Sequence, residues 1–421
     1  MANGIDRRVG FVAKRLAGTD GVSLEAAKWA SVLTELGYDC FGFAGESDWP
    51  QDHVHVVPEA HFNHPQVVAL TNDLFDDYTR SMETSARVQE LRLYLKEKLY
   101  EFIRQFELDL IIAENTLSIP MNVPLGLALT ELIAETSIPT IGHHHDFGWE
   151  RSRFKISAAS DYQLGSFPPI LPSVRHVVIS SVAGRELARR TGVSSTVIPN
   201  VMDFDNTPPE PDGYADGLRE ELGVRSDAYL LLQPTRIVPR KRIEHAIELV
   251  RRLEMDCALL LTHSERDEGS AYEEYLMDYA HLMGVKLVFA ADRFNYHRGA
   301  TPAGQKIYSL RDAYQHSDLV TYPSTVEGFG NAFLEAIYYQ RPIVLSAYEI
   351  YRVDIQPKGF QVISFVNVID DNTVRMTREI LTNSELVSEM VEKNYELGRR
   401  YYSYSTLRHK LFSLMIDCLG M

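Results

Sequence analysis

Along most of the chain, short apolar runs alternate with longer stretches whose apolar residues recur at helical spacing. Residues 8–12, 38–43, 108–115 and 177–181 read as strands in the first half, and 228–233, 258–262, 285–290, 318–322 and 341–345 in the second. Residues 24–36, 85–106, 124–134 and 183–191, then 241–253, 307–315 and 331–339, read as helices. The interleaved charges of 85–106 describe a solvated face over a core rather than a membrane-surface helix. A last helical region follows Asp370 and Asp371 and runs on through Arg400, is broken over 401–405, and gives way to a terminal helix over 407–418. Strand–helix alternation in both halves predicts two related α/β domains.

One stretch in the second half carries the clearest chemistry. Residues 322–348 read Y-P-S-T-V-E-G-F-G-N-A-F-L-E-A-I-Y-Y-Q-R-P-I-V-L-S-A-Y: strand end, glycine loop, helix, strand. The loop follows the carboxyl end of a strand, where such sheets bind ligands. Gly328 and Gly330 let backbone approach a ligand closely, and the N–H groups that open the helix suit an anion. Glu327 and Glu335 bracket the loop and suit vicinal hydroxyls, so a ligand carrying both phosphates and sugar hydroxyls fits.

The E-x7-E spacing with G-F-G-N inside it, followed by R-P-I-V, resembles the signature of the retaining GT-B glycosyltransferases of family 4. The resemblance implies an α/β fold of the GT-B class, two Rossmann-like domains facing a central cleft. It implies transfer of a hexosyl group from a nucleoside-diphosphate sugar (a UDP- or GDP-sugar) to a hydroxyl acceptor, with retention and with no cofactor or metal required. Glu335 would hold the ribose hydroxyls and Glu327 the hydroxyls of the donor sugar, while backbone N–H groups around Phe329, Gly330 and Asn331 meet sugar and phosphate. Residues 234–242, P-T-R-I-V-P-R-K-R, resemble the family's G-R-L-x-x-x-K-G motif, which makes Arg236 and Lys241 the diphosphate ligands. Two cations beside a helix N-terminus suit a departing diphosphate. Pro234 and Thr235 replace the usual glycine, and Arg242 replaces the glycine after the lysine.

In the first half, the loop 16–23 carries Asp20-Gly21 where the family has a glycine pair, so Gly21 remains as the donor contact. Residues 139–151 read P-T-I-G-H-H-H-D-F-G-W-E-R. By position after Pro139, His145 matches the family histidine near the anomeric carbon, and His144 takes its place if the strand end is shifted by one. Three histidines in a row suggest a metal, but alternation along a strand lets at most His143 and His145 share one, and no cysteine completes a set; no metal is expected. Arg151, Arg153 and Lys155 are either ligands of an anionic acceptor or solvated loop charges, and 157–172 reads as a mobile flap. The domain boundaries expected are 1–204, completed by a terminal helix over 402–421, and 205–401, with a proline-rich linker over 207–213.

Composition narrows the partners. A chain of 421 residues, 45% hydrophobic, exceeds one typical core. A net charge of −16 argues against sequence-independent nucleic-acid binding. The three cysteines are widely spaced, and neither a signal-peptide core nor a run of 18 apolar residues occurs, so a cytoplasmic protein without a transmembrane segment is expected. A small, anionic acceptor is the first reading. A peripheral enzyme extending a polysaccharide or glycolipid, a sugar-nucleotide epimerase and a non-catalytic sugar-nucleotide-binding protein are the alternatives.

Overall fold

Apolar strands from both halves assemble into separate parallel sheets. The computed structural model describes residues 7–18, 20–263 and 271–420. The chain divides into two units, Met1–Asn200 with Tyr404–Met421, and Val201–Ser403.

In the first unit, β1 (Arg7–Val12), β2 (Tyr38–Ala44), β3 (Val54–Val56), β4 (Leu110–Glu114), β5 (Thr140–His144), β6 (Val174–Val178) and β7 (Ser195–Val197) form one sheet. Its order is β3-β2-β1-β4-β5-β6-β7, every pair parallel. The order reverses between β1 and β4, and the loops leaving those two strands flank the switch point where doubly wound sheets bind ligands. The helix Met82–Phe106 buries Val88, Leu91, Leu95, Leu99, Phe102 and Phe106 in one stripe, and Ser81 caps it by accepting from the Thr84 N–H at 2.9 Å. The terminal helix Tyr404–Leu419 closes this unit: Arg408 pairs with Glu35, and Lys410 Nζ donates to the Val197 carbonyl at 2.9 Å.

In the second unit, β8 (Tyr229–Gln233), β9 (Cys257–Leu261), β10 (Lys286–Phe289), β13 (Leu319–Tyr322), β14 (Ile343–Ser346) and β15 (Ile363–Phe365) form a six-stranded sheet; β11 (Gly299–Ala300) and β12 (Lys306–Ile307) make a small hairpin. The order β10-β9-β8-β13-β14-β15 reverses between β8 and β13. The helix Ile243–Leu253 packs Ile243, Ala246, Ile247, Val250 and Leu253 into the core beside this sheet.

The structure departs from the sequence reading in several places, among them β6, expected over 177–181 and found over Val174–Val178. Residues 201–204 lie in the second unit: the Met202 N–H donates to the Tyr402 carbonyl at 2.9 Å, and Phe204 meets Tyr338 and Tyr395 edge-on. The first helix spans Gly21–Glu35, three residues earlier than its apolar pattern, because Asp20 caps it. The stretch read as a flap contains the helix Ser160–Ser166. The long final helical region is two helices, Asp371–Thr382 and Ser384–Tyr402, with Asn383 capping the second. Among the described residues no helix is long and apolar enough to cross a membrane.

Candidate active site

At the switch point of the second unit, β8 and β13 are tied together through buried amide and hydroxyl groups. Gln233 Nε2 donates to Thr235 Oγ1 at 2.7 Å, and Gln233 Oε1 accepts from Thr321 Oγ1 at 2.8 Å. All three are buried, so the start of the loop after β8 is fixed before Arg236, which is exposed. A short turn, Pro239–Lys241, leads into the helix Ile243–Leu253 through Arg242, whose φ is +50°. The position after the lysine thus keeps the left-handed conformation that glycine adopts without cost, although arginine occupies it.

Lys241 and Glu327 meet here. Lys241 is 7% exposed, its Nζ pairs with Glu327 Oε1, and it lies 5.5 Å from the centre of the Tyr322 ring. Burial pulls the ammonium below its usual range, against the opposing pull of Glu327. The Tyr322 hydroxyl shares the same carboxylate, and burial holds its pKa well above the usual value. Arg240 is 3.9 Å from the other Glu327 oxygen. The sequence reading gave Lys241 and Glu327 separate ligands; the fold makes them partners.

The glycine loop is held from behind. Tyr348 Oη donates to the Phe329 carbonyl at 2.9 Å, and Gly330 has φ +120°. A Cβ at Gly330 would lie 2.3 Å from Tyr348 Oη, so both backbone and space require glycine. The helix Asn331–Tyr338 starts at once, and Glu335 within it accepts from Tyr314 Oη at 2.7 Å.

The switch point of the first unit is built differently. Asp20 accepts from the Val22 and Ser23 N–H groups and pairs with Arg15 at 3.0 Å, so the aspartate that departs from the family pattern is the helix cap. Gly21 is the exposed first residue of that helix; Thr19 lies outside the described residues. Lys14 is buried and donates to the Asn115 carbonyl at 2.6 Å; burial lowers its pKa to about 8 against the raising effect of Asp146 and Asp20. Asn115, at φ +54°, accepts from the His145 N–H at 3.1 Å through Oδ1 and donates to Asp146 at 2.6 Å through Nδ2. Asp146 in turn holds Arg151, whose Nε donates to it at 2.7 Å, and Arg153 lies over the Phe154 ring at 4.7 Å. Burial, with Asp146 nearby, pushes the Glu150 carboxyl up to about 7.

The histidine run splits as strand alternation requires. His143 and His145 both face Glu114, which lies opposite His143 in the β4–β5 register. His144 points the other way. It is fully buried, its Nε2 lies 2.9 Å from His176 Nδ1, and Gly142 leaves room for its ring. Burial lowers the pKa of both members of that pair, His176 to about 4. His144 is therefore a core residue, and the expectation that it could take the place of His145 beside the substrates is corrected.

Glu114 was missed by sequence reasoning, as were Lys14, Asn115, Asp146 and Tyr322. Their common signal is a polar group at or just beyond the carboxyl end of an apolar strand beside a switch point. Glu114, His143 and His145 offer three donor atoms within 4.8 Å of one another, a group able to hold a metal ion.

Two doubly wound sheets, one with a lysine–carboxylate pair and a glycine-opened helix at its switch point, define a glycosyltransferase of the GT-B fold. The chain belongs to the group 1 glycosyltransferases, whose family model, "Glycosyl transferases group 1", matches residues 304–397. It is similar to the mannosylglucosylglycerate synthases of Thermotoga maritima (32% identity, covering 92% of this chain and 95% of that protein) and Petrotoga mobilis (32% identity, 85% and 86%). Among solved structures, a glycosyltransferase from Rickettsia africae superposes with a TM-score of 0.69 at 12% identity over 99% of each chain. Anabaena Alr3699/HepE in complex with UDP and glucose superposes with a TM-score of 0.67 at 13% identity over 98% of this chain and 100% of that one. At such identities these two likenesses concern the fold alone.

Proposed function

We propose that this enzyme transfers a mannosyl group from a nucleoside-diphosphate mannose to a hydroxyl of glucosylglycerate, with retention of the anomeric configuration. The observation that carries the reading is the 32% identity, over nearly the whole chain, to proteins named mannosylglucosylglycerate synthase. In this reading Arg236 and Lys241 stabilise the charge that grows on the departing diphosphate, where such stabilisation acts on the transition state. Lys241 exchanges Glu327 for phosphate oxygen, which frees the carboxylate for hydroxyls of the sugar. The opening N–H groups of the helix Asn331–Tyr338 add a positive dipole end, and Glu335 takes the ribose hydroxyls. Gly21 and His145 of the first unit contact donor and sugar. Arg151 and Arg153 supply guanidinium groups for the glycerate carboxylate, once Arg151 trades Asp146 for it. Two cations at the diphosphate make a metal unnecessary. The cysteines form no disulfide, which fits a cytoplasmic enzyme acting on soluble solutes.

The test is product analysis by NMR with GDP-, UDP- and ADP-mannose against glucosylglycerate. One donor should give a single mannosylated product with the donor's anomeric configuration. Transfer only to an oligosaccharide or lipid acceptor, or epimerised donor without acceptor, would overturn the proposal.

A further inference from the structure

We propose that Glu114 is a positioning residue: it fixes His145 in the tautomer whose Nδ1 accepts a hydrogen bond from a substrate hydroxyl. This rests on the reading above for the identity of the substrate, though not for the geometry.

Glu114 ends β4, is completely buried, and meets imidazole on two sides. Its oxygens lie 3.0 and 3.1 Å from His143 Nδ1, and one of them lies 3.2 Å from His145 Nε2. An ionised carboxylate only accepts, so both ring nitrogens that face it must carry hydrogen. The two histidines are thereby set in opposite tautomers, Nδ1–H in His143 and Nε2–H in His145. In the neutral rings the remaining lone pairs are Nε2 of His143 and Nδ1 of His145. Burial opposes charge on Glu114, and the two ring N–H groups that face it stabilise the carboxylate, so the ionised form is the relevant one.

The two lone pairs have different fates. His143 is sealed: it is 1% exposed, its ring stacks on Trp29 at 4.0 Å, and its Nε2 has no hydrogen-bond partner. His145 lies just beyond β5 with 9% of its side chain exposed, its ring 4.3 Å from that of His143, and its backbone N–H is anchored by Asn115. His143 therefore serves as a wedge that holds the carboxylate in place, and His145 carries the ring nitrogen available to a substrate.

The same three residues have the composition of a metal site, and the partner of the far ring nitrogen of His143 decides between the two arrangements. A histidine that binds a metal through Nδ1 carries its proton on Nε2 and nearly always donates it to an acceptor. His143 Nε2 is buried with no acceptor, so metal binding would leave an N–H unsatisfied in the core. The hydrogen-bonded arrangement leaves only a lone pair there, which costs less.

The experiment labels histidine with 15N and reads ring tautomers by long-range NMR correlation, in the wild-type protein and in Glu114→Gln. Alongside it, kcat and KM are measured in a cycle of Glu114→Gln, His145→Ala and the double variant, with nucleoside-diphosphate mannose and glucosylglycerate. The wild-type His145 should show Nε2 protonated and Nδ1 bare, and Glu114→Gln should lose that single tautomer, because an amide must turn its NH2 towards one of the imidazoles. Glu114→Gln should lower kcat by at least about 10-fold with donor KM nearly unchanged, the direction in which a wrong tautomer acts in other carboxylate–histidine pairs. Added to His145→Ala it should cost nothing further. A wild-type His145 with Nδ1 protonated overturns the proposal, and so does an equal loss of kcat in the His145→Ala background. One-to-one binding of Zn2+ that displaces the ring protons and is lost in Glu114→Gln overturns it in favour of a metal site. The wild-type tautomer needs no substrate and no variant, so it stands or falls apart from the proposed reaction.

Discussion

Each sheet reverses its strand order once, and the two reversals are furnished differently. Between β8 and β13 the polar groups are full charges, Lys241 and Arg240 against Glu327, with Arg236 exposed beside them. Between β1 and β4 the set is softer, its charges interleaved with hydrogen-bonding groups: a buried lysine on a backbone carbonyl, the Asp20–Arg15 and Asp146–Arg151 pairs, an asparagine, and, at the end of β4, a carboxylate against two imidazoles on β5 and just beyond it. The first arrangement suits a ligand of fixed charge such as a diphosphate. The second adds oriented donors and acceptors to its charges, which suits hydroxyls.

The largest expected effect breaks this contrast at its charged end. Replacing Arg236 and Lys241 together by alanine should lower kcat/KM by about 100- to 1000-fold, roughly 3–4 kcal/mol, as loss of transition-state charge stabilisation does elsewhere. The melting temperature reports whether the fold survives. Glu327→Ala should act on stability as well, because it leaves the buried Lys241 without its carboxylate.

The next effect belongs to the softer end and separates His144 from His145. His176, the partner of His144, takes up its proton near pH 4 when folded and near 6.5 when unfolded. Between those values the unfolded chain binds more protons, so stability is full above about pH 6.5 and falls by about 3 kcal/mol as pH drops towards 4. His176→Phe should remove the share of that fall due to His176 and leave that of His144, in urea titrations across pH. His145→Ala should leave it in place while lowering turnover.

A smaller effect is expected at Gly330. Alanine there combines a φ of +120° with a Cβ 2.3 Å from Tyr348 Oη, and a loss of about 1–3 kcal/mol should follow from the backbone strain. Tyr348→Phe combined with it should recover part of that loss, and donor KM should track the same order. Smallest of all, Arg151→Ala should change stability by less than about 0.5 kcal/mol, since its pair with Asp146 is half in solvent. Acceptor KM should nevertheless rise, with donor KM unaltered; an unchanged acceptor KM assigns Arg151 to the solvated loop charges.

These contrasts explain what was legible in the sequence. The GT-B fold and the family could be read because alternation, the glycine turn and the E-x7-E spacing are local properties. Arg236 and Lys241 sit five residues apart on one loop and turn, so their partnership is also local. The pairing of Lys241 with Glu327 spans 86 residues and depends on β8 lying beside β13. Glu114 was invisible for the same reason: nothing within its strand distinguishes it until β5 brings His143 opposite. His144 went astray because alternation turns it to the face opposite His143 and His145, and only the packing against His176 shows that face to be core. The short strands β3, β7 and β15 carry three residues each, too few for a periodic signal, and the helix over 65–74 likewise went unread.

The charged reversal is tested most directly by titrating GDP, UDP and ADP into the wild-type protein and into the Arg236→Ala, Lys241→Ala variant, with binding heat and melting temperature as readouts. One nucleotide should bind the wild type at a single site and, at about a hundred times its Kd, stabilise it by roughly 2.7 kcal/mol. The variant should fold and fail to show that shift. Equal binding by both proteins, or a wild type that binds none of the three, would contradict the assignment of the diphosphate to the switch point between β8 and β13.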